Sequence, residues 1–289
     1  MRIERVATVR CRGGENPLWD AAGQALYFVD NFGKQVHRYS PASGQTDSWE
    51  MPEIITTLAL RAEGGAVVTF PTGIFLLDFA TGALAPLHLS PSPPDFVFND
   101  GRTDRRGRFL IGACTTHFDI PQNDGGLYRL DPDHTLTKVD GDIHFSNGNC
   151  FSPDQSTFYF SDSWRHIAYQ YDYDIETGTV ANRRPFIDTT AFGGQPDGAT
   201  VDSQGIYWAA LYTGGKVAAF RPNGKLERVI DMPVKLVSSV MFGGPGLDVL
   251  YVTTMQEGPF SGPPEAGAGY LYAIEGLGTT GLPEPRYAG

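Results

Sequence analysis

Cysteine is scarce in this chain, basic residues are outnumbered, and long apolar runs are missing. The three cysteines (Cys11, Cys114, Cys150) are odd in number and far apart. That excludes a disulfide framework and a zinc knuckle and fits a reduced, cytoplasmic setting. Lys and Arg total 22 against 33 Asp and Glu, a formal charge of −11, so no basic stripe is available for nucleic acid. The longest apolar runs, residues 66–70 and 74–77, fall far short of the roughly 20 residues a membrane span needs. Residues 1–6 carry no apolar stretch of the kind a secretion signal uses. Helical periodicity is also hard to find.

What is there is turn chemistry and short alternating runs. With 35 Gly and 21 Pro in 289 residues, apolar segments of strand length alternate with turn clusters, an all-β pattern. The pattern repeats. One copy runs from Glu15 through a turn at Ala22-Gly23 and the segment 25–30 to residues 34–39 and Ser43-Gly44. Others open at Thr57, Asn99, Asn147, Asp197 and Ser238-Ser239. Turn-to-turn spacing is about 41 to 50 residues, the period of propeller blades. Six copies of three to four strands predict a six-bladed β-propeller occupying residues 1–289 as one domain. The alternating segment 3–9 precedes the first copy and is expected to join the last blade, hiding two sheet edges.

Glu15, Asn99, Asn147 and Asp197 each lie about 8 residues before the turn of their copy, at Gly23, Gly107, Gln155 and Gly205. Asn99-Asp100-Gly101, Asn147-Gly148 and Pro196-Asp197-Gly198 are individually ordinary turn sequences. A shared offset in four copies is not explained by turn preference. In a propeller the first strand of each blade lines the central channel, so equivalent positions converge on the axis. Two carboxylates and two amides gathered there demand a cation. An all-oxygen set without Cys or His suits Ca²⁺, Mg²⁺ or Mn²⁺ better than Zn²⁺. The remaining two slots hold hydroxyls, at Thr56 or Thr57 and at Ser238 or Ser239, as candidates for orienting water or substrate. A metal held this way polarises a carbonyl, and Asp197 is placed to take a proton from water. Ester-type hydrolysis is the expected chemistry.

The segments Gly14-Glu15-Asn16-Pro17-Leu18-Trp19, Phe98-Asn99-Asp100-Gly101, Ser146-Asn147-Gly148 and Pro196-Asp197-Gly198 resemble the motifs of the regucalcin (senescence marker protein 30)/gluconolactonase family. The resemblance runs over nearly the whole chain. It implies a propeller with a metal site at one end of its channel that opens a sugar (aldono) lactone to the aldonic acid. It also implies Glu15, Asn147 and Asp197 as metal ligands, Asp197 as catalytic proton acceptor and donor, and Asn99 as a substrate contact. The cofactor would be one divalent cation, open among Ca, Mg, Mn, Zn and Fe. Where family members carry an Arg two residues before the substrate-contacting Asn, this chain has Val97. Near a family glutamate that reaches sugar hydroxyls it has His117, a candidate substrate-binding group. Loss of a guanidinium removes a multidentate donor to sugar oxygens. Residues 115–124 form a long connection able to cover the channel mouth, and Trp164, Tyr212 and Phe118 are candidate walls for the sugar. The expected partner is a small lactone, with the protein a monomer or weak oligomer. Competing readings are a broader metal-dependent esterase or phosphotriesterase and a non-catalytic calcium-binding propeller.

Overall fold

The computed structural model describes all residues except 92, 93, 95, 117–123 and 260. His117, Phe118 and most of the long connection named above lie outside the described residues. Among those described, the strands form six four-stranded antiparallel sheets, the blades of a β-propeller. In five blades the strands follow chain order from the axis outward, beginning with Gly14–Asp20, Thr57–Leu60, Phe96–Thr103, Ser146–Phe151 and Gln195–Val201. The sixth is built from Val237–Gly243, Val249–Thr254 and Tyr272–Glu275, and its outermost strand is Arg2–Arg5 from the start of the chain. Arg2 pairs with Glu275 and Arg5 with Tyr272. The predicted closure is therefore present. Its ladder is shorter than the alternating segment suggested, because from Val6 onward the chain turns inward under Leu271 and Gly269.

Blade position explains the composition of each strand. Second strands such as Ala25–Asp30 and Tyr207–Tyr212 are buried along their whole length, since both sheet faces pack against neighbouring blades, so they read as continuous apolar runs. Fourth strands such as Gln45–Glu50 and Leu226–Asp231 are largely exposed, so no continuous apolar run marks them in the sequence. They follow tight turns at glycines in the left-handed region, for example Gly44 at φ +69° and Gly178 at φ +71°. The core is divided into clusters between adjacent blades.

The two ends of the channel differ. At the end bearing the first-hairpin turns, the C-terminal segment crosses the opening. Ser203 N–H donates to Thr280 O, Gly281 N–H to Leu247 O, Tyr287 N–H to Leu60 O and Ala288 N–H to Gly107 O. It thus ties the turns of four blades together, and Arg286 reaches Asp20 in a fifth. The opposite end opens into a cavity.

Candidate active site

Glu15, Asn99, Asn147 and Asp197 all lie near the start of innermost strands, and all four line one cavity of about 290 Å³ at the channel mouth. None sits in a turn. What re-aims them is a break in the ladder. The register slips between Glu15 and Leu18, Phe98 and Gly101, Asn147 and Cys150, and Pro196 and Ala199. Such β-bulges redirect side chains locally. The ladder also sorts the four residues: Glu15 and Asn147 are the last paired positions before the break, while Asn99 and Asp197 lie inside it. The shared offset to the turns hides this one-residue difference, partly because the left-handed residue of the first turn is Gln24 rather than Gly23.

Close packing of the inner strands demands glycine beside these residues. A Cβ on Gly198 would stand 1.8 Å from Ser239 Oγ. The loops leading into blades 1 and 4 are held by an aspartate at the end of each second strand. Asp30 accepts from the backbone N–H of Arg12, Gly13 and Gly33, and Asp162 accepts from His144 and Phe145.

Amide orientations at the floor are set by a chain of hydrogen bonds. Asn99 Nδ2 donates to Asn147 Oδ1 at 2.9 Å and to Ser146 O at 2.8 Å. Asn147 Nδ2 donates to Ser163 Oγ, which donates to Pro196 O. Asn147 Oδ1 is thereby turned away from its own blade's hydroxyl. Of the hydroxyls considered, Thr56 lines the cavity and is bonded to Thr69 Oγ1. Ser238 is spent on Gly14 O, and Ser239 packs against Gly198. Trp164 and Tyr212 line the walls.

The sequence reading missed a third carboxylate. Asp100, beside Asn99 in the same bulge, is buried, and its reading as part of a turn concealed it. Its oxygens are taken: Oδ1 accepts from Asn16 Nδ2 and Gly101 N–H, and Oδ2 from Asn149 N–H. Asp100 therefore knits blades 1, 3 and 4 together below the cavity. Glu15 and Asp197 differ, each meeting the backbone N–H of its own successor, Asn16 or Gly198. Desolvation, aided by the Asp100 charge, pushes Glu15 up to about 8. Desolvation, then the charges of Glu15 and Asp100, raises Asp197 well above the ordinary carboxylate range. No Lys, Arg or His occurs among the described residues lining the cavity. Two carboxylates with unspent oxygens, beside an oriented amide oxygen, are a donor set fit for a hard divalent cation.

A second cluster of ligand-type atoms, Cys11, Asp30 and His37, is buried in blade 1. The three backbone donors on Asp30 account for that carboxylate, and burial raises the Cys11 thiol well above its ordinary value, so this cluster reads as a structural clamp.

Comparison with known proteins places the chain. Residues 13–256 match the family described as the SMP-30/Gluconolactonase/LRE-like region. The chain belongs to this SMP-30/gluconolactonase family. Rabbit (Oryctolagus cuniculus) regucalcin is 34% identical over 100% of this chain and 99% of its own length. A 6-deoxy-6-sulfogluconolactonase of Pseudomonas putida is 38% identical over 84% of each chain. The crystal structure of a calcium-binding protein, regucalcin, from Agrobacterium tumefaciens superposes with a TM-score of 0.89 at 26% identity, covering 98% of this chain and 96% of that one. The family and the propeller expected from the motifs are thus both found. Among the described residues no helix of this SMP-30/gluconolactonase member is long and apolar enough to cross a membrane.

Proposed function

We propose that this SMP-30/gluconolactonase member hydrolyses a sugar lactone to the aldonic acid with one divalent cation, held by Glu15, Asn147 and Asp197. The observation that carries the reading is the pair of buried carboxylates with unspent oxygens in a cavity whose described lining has no basic side chain. Such charge is unstable alone and needs a cation. Relatives named as a gluconolactonase-type enzyme and as a calcium-binding protein support the same reading.

When bound, a divalent cation lets the carboxylates ionise together and draws electrons from the lactone carbonyl. Asp197 then takes a proton from water as the water oxygen adds to the carbonyl carbon. It returns that proton to the ring oxygen as the ring C–O bond breaks, so the balance is one water consumed per lactone opened. Asn99 contacts the substrate and holds the Asn147 amide in register. Ser163 anchors the other end of that amide. The apolar walls keep bulk water off the reacting carbonyl.

The test is acid release from a panel of aldonolactones by protein stripped of metal and then given Ca²⁺, Mg²⁺, Mn²⁺ or Zn²⁺ singly. Turnover should appear only with metal, and Asp197→Asn should remove it while weakening metal binding. Undiminished turnover in Asp197→Asn would overturn the assignment of the base.

A further inference from the structure

The cavity is apolar to a degree that a fully hydroxylated ligand does not need. Val97, two residues before Asn99 on the same strand, faces it together with Ile54, Pro71, Phe145, Trp164 and Met255. The Phe145 and Trp164 rings lie 5.8 Å apart at 32°, making one broad wall. Ile54 is among the few large hydrophobic side chains left exposed, at 37%, and it stands in this lining rather than in an interblade core.

Among the described residues, the wall hydroxyls of Thr56, Ser163 and Tyr212 already have partners. Asn31 lines the cavity and is 9% exposed, while its Oδ1 is closed off from solvent and has no hydrogen-bond partner. Gln195 has its Oε1 occupied by Thr213. Its amide N–H remains a donor.

We infer that the lactone taken here is partly deoxygenated: it lays methyl or methylene groups on the Val97–Phe145–Trp164 wall. This rests on the lactonase reading above and narrows it. A tail rich in hydroxyls would leave donors unpaired against carbon, which a hydrophobic wall disfavours.

Matched lactones test this. D-galactono-γ-lactone and its counterpart with CH₃ in place of the terminal CH₂OH (D-fucono-γ-lactone) are compared with the metal-loaded protein, alongside the same pair in the gluco series. The deoxy compound should show kcat/KM about 10- to 100-fold above its hydroxylated partner, the range open to a hydrophobic pocket. Val97→Arg should invert the order of the deoxy and hydroxylated compounds without changing metal affinity measured by calorimetry. Equal or faster opening of the hydroxylated lactone, or an unchanged order in Val97→Arg, would overturn the inference while leaving the lactonase reading intact. Bound metal with no lactone opened in either series would overturn both.

Discussion

At the cavity end of the channel, Glu15 and Asp197 face a space whose described lining offers amides and hydrocarbon but no cation. At the other end Arg102, 4% exposed, donates to Asn149 O and Ala199 O and lies 3.7 Å from Glu284 of the C-terminal segment. Asp100 sits between, on the same strand as Asn99 and Arg102. Burial raises Asp100, and the Arg102 charge opposes that rise. One end is thus neutralised by the protein itself. The other keeps two buried carboxylates with no basic side chain among the described residues beside them, which is how a propeller of pseudo-equivalent blades acquires one open end and one sealed end.

Breaking the cavity end should give the largest effect. Asp197→Asn is expected to lower turnover by about 10²- to 10⁴-fold, the range for loss of a general base, read in a metal-saturated lactone assay. Its metal-free melting temperature should rise, because a buried like charge is removed. The sealed end should answer in the opposite currency. Arg102→Met leaves Asp100 and Glu284 buried without their cation and should cost about 3–5 kcal/mol, read as a lower denaturation midpoint.

The comparison sharpens with pH. Glu15 moves from 4.5 to about 8, first through desolvation and then through Asp100. Its folded value is the higher one, so its contribution is fully present below about 4.5. It is lost as pH rises toward 8, where the unfolded chain has released the proton that the folded one retains. Melting of metal-free protein across that window should show stability falling with pH, and a saturating divalent cation should flatten the slope. A flat metal-free profile would mean that Glu15 is not buried as described. Smallest of all should be Glu284→Gln, at about 1 kcal/mol of stability, because its contact with Arg102 is long and Asp100 and two backbone carbonyls still face the guanidinium.

Much of this was legible along the chain. Period and turn spacing announce the blades, since each hairpin repeats the same burial pattern. The segment near the start closes the ring as its alternation implies, and Glu15, Asn99, Asn147 and Asp197 do meet at one cavity. The fourth strands were faint because they are solvent-facing and carry no continuous apolar run to mark them. Asp100 was hidden by a local sequence, Asn-Asp-Gly, that favours turns in isolation but is held extended here by the pairing on either side of the bulge and by two donors from other segments. Arg102 with Glu284 could not be paired by eye, because nothing local connects residues 182 positions apart.

Residue order alone determined the repeat, the apolar alternation and the identity of the oxygen-bearing groups, because those follow from nearest-neighbour sterics and the two-residue period of a strand. Tertiary structure decided which carboxylate would be spent and which would be left open. Asn16 and Asn149, which occupy Asp100 together with its neighbour Gly101, arrive from elements distant in the chain, as does Glu284 beside Arg102, and only closing the ring brings them to the axis.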